Sequence, residues 1–222
     1  MMTLHGFSYS NYYNVVKHLL LYKGIEFEED EQYGDDPAYL AISPLGKVPS
    51  LTTPNGTHLS ETTVCCEYIE ETCPEPALYP ENAEERARVR QIMKISECYI
   101  ELACRRLIPF LFMGAEAPAP LAQEVRETVQ RGIDGLNRLC VFSPWIAGDR
   151  FTLADIYVRY VMKVAAVVGQ QKLDWDIAAD ISGMPGWLDT MADSDIARRI
   201  DADHEANAPA FFAMLKRRYG IG

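Results

Sequence analysis

The sequence predicts an α/β domain followed by an all-α domain, with residues 1–79 in the first and 80–222 in the second. Three observations carry that prediction. In the first third of the chain, short alternating runs of strand type interleave with amphipathic helical runs. From 73 to 80, three prolines interrupt every periodicity. Beyond that point the apolar spacing is helical throughout, with no alternation of any length. A proline-rich break between two differently patterned stretches marks a domain boundary.

Thr3-Leu4-His5-Gly6 is a short strand, followed by a loop through Ser8 and Ser10. A helix over 11–23 has Val15, Val16, Leu19 and Leu20 on one face and Gly24 as its stop. Ile25-Glu26-Phe27-Glu28 alternates and reads as a second strand. Asp35 and Asp36 precede a short helix whose apolar side is Tyr39, Leu40 and Ile42. In Ser43-Pro44-Leu45-Gly46-Lys47-Val48-Pro49-Ser50-Leu51, Gly46 suits a tight turn. Pro49, which has no N–H, stands where a strand begins, a place that tolerates proline and where a cis bond is at home. Pro54-Asn55-Gly56 folds the chain back through Thr57-His58-Leu59 as a hairpin. That hairpin delivers Glu61 and Thr62 to the start of a helix over 64–71. The order β-α-β-α-β-β-α is that of a thioredoxin-like domain, and its first two parallel strands need a right-handed crossover.

After the linker, a long helix is expected over 83–112, a break over 114–120 and a second helix over 119–140. Phe151-Thr152-Leu153-Ala154-Asp155-Ile156 then opens another helix. Thr152 is the N-cap, Asp155 returns the hydrogen bond from the third position, and Phe151 meets Ile156 as a hydrophobic staple. Capping accounts for every residue of that box, so its role is structural.

Composition removes several function classes. A net charge of −11 argues against nucleic acid, whose phosphates need a basic face. No apolar run approaches the roughly 20 residues that span a bilayer, and residues 1–6 lack the pattern of a secretory signal. The six cysteines show no metal-type Cys-x-x-Cys spacing. Cys65 and Cys66, adjacent within a helix, suit reduced thiols. The expectation is a cytoplasmic protein without metal, nucleic acid or membrane as partner.

The segment from Gly46 to Thr62 carries the chemistry. The N–H and C=O of Val48, freed of the strand ladder beside Pro49, would pair with a peptide-like ligand. Helix N-termini take carboxylates through unpaired N–H groups, and Glu61 beside them would take an ammonium. Singly, each piece is an ordinary turn or cap. Together they offer a backbone clamp, an anion site and a cation site on one short stretch.

This combination resembles the glutathione transferase family of cytosolic enzymes. Trp145-Ile146-Ala147-Gly148-Asp149, the Thr152–Asp155 box and Met184-Pro185-Gly186-Trp187 extend the resemblance along almost the whole chain. It implies glutathione as cosubstrate, with no permanently bound cofactor, held along Lys47, Val48, Pro49, Glu61 and Thr62. It also implies a hydroxyl of the first loop that stabilises the glutathione thiolate. Counting back from Gly24, Ser10 stands where the theta, tau and zeta classes carry their serine, and Ser8 and Tyr9 are the alternatives. Asn14, one turn later, would orient that serine. Phe7, Tyr9, Tyr12, Tyr99, Phe110 and Phe112 are the candidates to line an electrophile pocket. A homodimer is implied as well. Two departures stand out. Where many serine-type members carry a basic residue flanking a valine early in the first helix, this chain has Asn14-Val15-Val16-Lys17, and Ser8-Tyr9-Ser10-Asn11 lacks the zeta class's Ser-Ser-Cys run. No cysteine occurs between Met1 and Val64. The expected activity is conjugation of glutathione to small hydrophobic electrophiles. The alternatives are a glutathione-dependent isomerase, dehalogenase or peroxidase, or a non-catalytic interaction protein on the same fold.

Overall fold

The computed structural model describes residues 1–34 and 36–220, so Asp35 lies outside the described residues. The chain divides into two compact units, one made of Met1–Leu78 with the stretch from Asp193 onward, the other of Tyr79–Ala192.

In the first unit the elements are β1 (Met2–Gly6), α1 (Asn11–Tyr22), β2 (Phe27–Glu31), a 3-10 turn (Pro37–Ala41), β3 (Ser50–Thr52), β4 (His58–Ser60) and α2 (Thr62–Thr72). The sheet order is β2-β1-β3-β4. β1 runs parallel to β2 and antiparallel to β3, and β3 is antiparallel to β4. Leu4 and Leu51 of the central strands are fully buried, as are Val15, Val16, Leu19 and Leu20 of α1, the face the helical spacing indicates. Each such side chain contributes about 1.5–3 kcal/mol of hydrophobic stabilisation. The second strand lies later than its alternation indicates. It is a charged edge strand, Phe-Glu-Glu-Asp-Glu, held by pairing to β1 rather than by a buried face.

One polar chain crosses all four strands. Asp30 Oδ2 lies 2.7 Å from His5 Nδ1, His5 Nε2 lies 2.6 Å from Thr52 Oγ1, and Thr52 Oγ1 lies 2.8 Å from His58 Nδ1. Register then decides which loops meet. His5 pairs with Ser50, Ser50 with Ser60, and Gly6 with Glu31. The end of β1, the start of β3 and the ends of β2 and β4 therefore share one edge of the sheet.

The second unit contains α3 (Ala83–Ile95), a π-helical turn (Ser96–Glu101), α4 (Leu102–Arg105), α5 (Ile108–Phe112), α6 (Ala119–Leu139), α7 (Leu153–Val168), a further π-helical turn (Gly169–Leu173) and α8 (Met184–Ala192). The single helix expected over 83–112 is thus a succession of helical pieces. Pro109 provides the reason for the break near Leu107, since it cannot donate to the preceding turn. At the start of α7, Asp155 accepts from the N–H of Ile146 and the indole Nε1 of Trp187 on one oxygen, at 2.8 and 2.9 Å. Its other oxygen accepts from the N–H and hydroxyl of Thr152, at 2.8 and 3.0 Å. The three sequence segments that carry the resemblance in this unit therefore converge on one buried carboxylate.

The last helix, α9 (Asp195–Tyr219), groups with the first unit, although the expected division assigns all of 80–222 to the second. The cause is a polar and aromatic face directed at α1 and the loop before it. Buried Lys17 pairs with Glu29 of β2 at 2.7 Å and with Asp203 of α9 at 2.9 Å. No helix among the described residues is long and apolar enough to cross a membrane.

Candidate functional site

The loop after β1 is set by close packing. Gly6 has φ +150°, and a Cβ there would run into the Tyr13 ring. Ser10 caps α1, its Oγ accepting from the Tyr13 N–H at 3.3 Å. A hydroxyl used only as acceptor keeps its proton free to donate to a ligand. Asn14 holds the loop through its neighbour. Its backbone N–H donates to the Ser10 carbonyl at 3.1 Å and its Nδ2 donates to the Ser8 carbonyl at 2.8 Å. Its Oδ1 is buried without a hydrogen-bond partner among the described residues.

The other hydroxyls of this stretch are engaged differently. Tyr13 is buried and donates to Glu29, away from the loop. Burial, then that hydrogen bond, pushes its pKa far above the ordinary phenol value. Tyr9 is half-buried, and burial pushes its pKa up as well. Its ring stacks on both His204 and Phe211 at 4.3 Å. Those residues stand two turns apart on α9, about 10 Å along its axis, so the Tyr9 ring lies between them. Phe7 stacks on Tyr33 at 4.7 Å and on Phe211 at 5.6 Å. Tyr12 is half-buried within α1.

The turn before β3 is organised from below. The Ser43 hydroxyl donates to the Lys47 carbonyl at 2.8 Å and accepts from the Lys47 N–H at 3.2 Å, while the Tyr39 hydroxyl lies 2.6 Å from Ser50 Oγ. The Lys47 side chain remains exposed. The Val48–Pro49 bond is cis, with Pro49 buried and Val48 half-buried. Among the described residues nothing bonds the N–H or C=O of Val48.

Glu61 stands at φ +71°, ψ 122°, outside helix and strand geometry. A non-glycine residue held there stores about 1–3 kcal/mol of backbone strain, and such strain clusters at ligand clamps. The Glu61 carboxylate is exposed and takes part in no hydrogen bond or ion pair among the described residues. Thr62, almost wholly buried, opens α2 and leaves the first N–H groups of that helix without intrahelical partners.

Sheet register brings the Phe7–Ser10 loop, Val48-Pro49 and Glu61-Thr62 to one edge. Tyr99, Phe110 and Phe112 belong to the second unit, where Tyr99 is exposed and the two phenylalanines are half-buried. Sequence reasoning missed Asn207, whose Oδ1 accepts from the Tyr9 N–H at 3.1 Å, and Tyr33, which stacks on Phe7. The Asn207 contact spans 198 residues, and no local pattern signals it. Among the described residues there is no cluster of side chains able to hold a metal ion.

Residues 4–77 match the family model for the N-terminal domain of glutathione S-transferase, and residues 99–195 match that for its C-terminal domain. A glutathione S-transferase of Pseudomonas putida is 41% identical over 217 residues, covering 97% of this chain and 98% of that protein. The chain belongs to the glutathione S-transferase family. A maleylacetoacetate isomerase of Pseudomonas aeruginosa is 32% identical over 55% of this chain and 58% of its own. In fold, the chain is similar to a glutathione S-transferase of Methylobacterium radiotolerans solved in complex with glutathione sulfonate, with a TM-score of 0.75 at 24% identity over 89% of this chain and 93% of that one. Within this family fold, the loop before α1, the start of β3 and the start of α2 form the candidate site.

Proposed function

We propose that this member of the glutathione S-transferase family binds glutathione along Val48, Glu61 and Thr62 and uses Ser10 to stabilise its thiolate for attack on small hydrophobic electrophiles. The observation that carries the reading is the concentration of unpaired polar groups at one edge of the sheet. The backbone of Val48 offers one donor and one acceptor, complementary to a peptide unit. The N–H groups at the start of α2 suit the α-carboxylate of a γ-glutamyl group, and the Glu61 carboxylate suits its ammonium. Lys47 would meet the glycine carboxylate.

With the tripeptide so held, its sulfur would lie toward the loop. A free thiol ionises near pH 8.5, and the thiolate is the nucleophile. Donation by the Ser10 hydroxyl, beside the positive end of α1, lowers that value without covalent involvement of the protein. The thiolate electron pair forms the new carbon–sulfur bond. In a substitution the leaving group departs with its bonding pair, and in an addition the adjacent carbon takes a proton from solvent. The protein's contribution is positional and electrostatic. The reading includes a cytoplasmic homodimer.

A second reading, glutathione-dependent cis–trans isomerisation, draws on the 32% identical isomerase. Assays with a chloronitrobenzene, a hydroperoxide and maleylacetoacetate separate conjugation, peroxidase and isomerase chemistry. The underlying test is binding. The chain is expected to be retained on immobilised glutathione and to melt higher in millimolar glutathione. A folded chain that does neither contradicts the proposal.

A further inference from the structure

We infer that α9 is a positioning element for the Ser10 loop, acting through Asn207, and that this chain's thiolate chemistry depends on that helix. The inference rests on the proposed role of Ser10. The family's C-terminal match ends at residue 195, where α9 begins, so the helix lies beyond the matched stretch.

Asn207 uses both ends of its amide. Its Oδ1 accepts from the Tyr9 N–H at 3.1 Å, and its Nδ2 donates to Glu31 Oε1 at 3.1 Å and to the Tyr33 hydroxyl at 3.0 Å. One side chain of α9 therefore ties the loop before α1 to the end of β2. The backbone of Tyr9 is fixed by this bond, and its ring by the stack between His204 and Phe211. Tyr33 carries the tie onward by stacking on Phe7, at the other side of the loop. Ser10 follows Tyr9 directly, and its own N–H donates back to the Phe7 carbonyl at 3.0 Å. The loop is held at Phe7 and Tyr9 by groups on, or bonded to, α9, and at Ser8 by Asn14.

The consequence is geometric. A hydroxyl that stabilises a thiolate must sit within hydrogen-bond reach of the sulfur, and a displacement of about 1 Å can cost on the order of a hundredfold in rate. Loss of the Asn207 amide frees the Tyr9 N–H and lets Ser10 drift, while Val48, Glu61 and Thr62 are untouched. Turnover should fall with little change in the KM for glutathione.

Three variants test this. Asn207→Ala removes both ends of the tie. Asn207→Asp, made together with Glu31→Gln so that no two carboxylates face each other, keeps an acceptor for the Tyr9 N–H and reverses the bond to residue 31. Asp203→Asn weakens the pair with Lys17 one turn away and leaves the Asn207 tie to the loop in place. Amide hydrogen exchange over residues 7–13 is measured on the full chain without ligand, together with kcat, the KM for glutathione and the thiolate absorbance of bound glutathione as a function of pH. Asn207→Ala is expected to speed exchange at Tyr9, lower kcat by about tenfold to a hundredfold and shift thiolate formation to higher pH. Asn207→Asp with Glu31→Gln should retain Tyr9 protection and recover most of kcat, and Asp203→Asn should melt lower with wild-type kcat. Wild-type exchange at Tyr9 in Asn207→Ala overturns the inference. So does faster exchange with unchanged kcat and unchanged thiolate titration. If Asn207→Ala does not fold, a chain carrying Asn207→Asp and Glu31→Gln with Tyr9 protection intact but kcat reduced as far as in Ser10→Ala also overturns it. A wild-type chain that fails to bind glutathione defeats the underlying reading instead, and the ligand-free exchange measurement tells the two failures apart.

Discussion

Two helix starts in this chain pair an acidic residue with a threonine, and they are built for opposite ends. At α7, the carboxylate of Asp155 is buried and accepts from the N–H groups of Ile146 and Thr152, the Thr152 hydroxyl and the Trp187 indole. At α2, the carboxylate of Glu61 is exposed and unpartnered among the described residues, on a backbone at φ +71°. The first start has its hydrogen-bonding capacity filled from within. The second keeps its capacity open and stores strain as well. Two similar short motifs thus divide into a filled cap and an open one, and the difference lies in what each carboxylate touches.

The largest effect should follow from breaking the satisfied start. Asp155→Ala leaves buried donors without acceptors, at about 1–3 kcal/mol each. Chemical denaturation should show a loss of about 3 kcal/mol or more, or no folded chain at all. A melting temperature close to wild type would contradict the assignment. Next is Glu61→Gly, which removes the carboxylate and relieves the positive φ. Glutathione affinity should fall about tenfold, the scale of one charge-assisted hydrogen bond. Stability should hold or rise by up to about 1 kcal/mol, because glycine accepts that φ but adds entropy to the unfolded chain. Marked destabilisation with affinity intact, read by calorimetry, would make Glu61 a cap like any other.

The smallest effect is one of pH, and its sign differs between the two units. Burial pushes the Asp155 carboxyl up, and its four hydrogen bonds only partly offset this. Its folded pKa lies above the unfolded one, so its contribution to stability falls as pH rises through that interval. Asp30, beside His5 in the sheet, is the reverse. Partial burial pushes its carboxyl up, but hydrogen bonds from His5 and Gln32 outweigh that and hold it below its ordinary value. Its contribution is present above the unfolded pKa and is lost as pH falls through the folded one. Unfolding measured across the acid range should therefore shift in opposite senses for Asp155→Asn and Asp30→Asn. Parallel shifts would contradict the buried setting of Asp155 and the hydrogen-bonded one of Asp30.

Much of this was legible in the sequence, and the limits are physical. The Thr152–Asp155 box, the Pro54-Asn55-Gly56 hairpin and the apolar face of α1 are local patterns, and local patterns are what periodicity and capping rules read. The placement of β2 was not, because an edge strand of charged residues is held by its neighbour's ladder. The long helix over 83–112 gave no warning of the π-helical turn at Ser96–Glu101. α9 was assigned by chain order, whereas Lys17–Asp203 and Tyr9–Asn207 bring it to the first unit across 186 and 198 residues. At the candidate site, Val48, Glu61 and Thr62, which the sequence groups on one short stretch, lie at one edge of the sheet. What holds Ser10 in place, by contrast, lies on a helix that no spacing rule connects to it.

On the proposed function, Ser10 makes the glutathione sulfur a thiolate at this edge of the sheet. The direct measurement is the thiolate absorbance of bound glutathione against pH in wild type, Ser10→Ala and Tyr9→Phe. In wild type the bound thiol should ionise at least about one unit below its free value near 8.5. Tyr9→Phe should match it. In Ser10→Ala the titration should return toward the free value, with turnover reduced on the order of a hundredfold, the scale of one lost stabilising donor, and an unchanged melting temperature. Coincident titrations in wild type and Ser10→Ala, or a shift in Tyr9→Phe alone, would contradict the account.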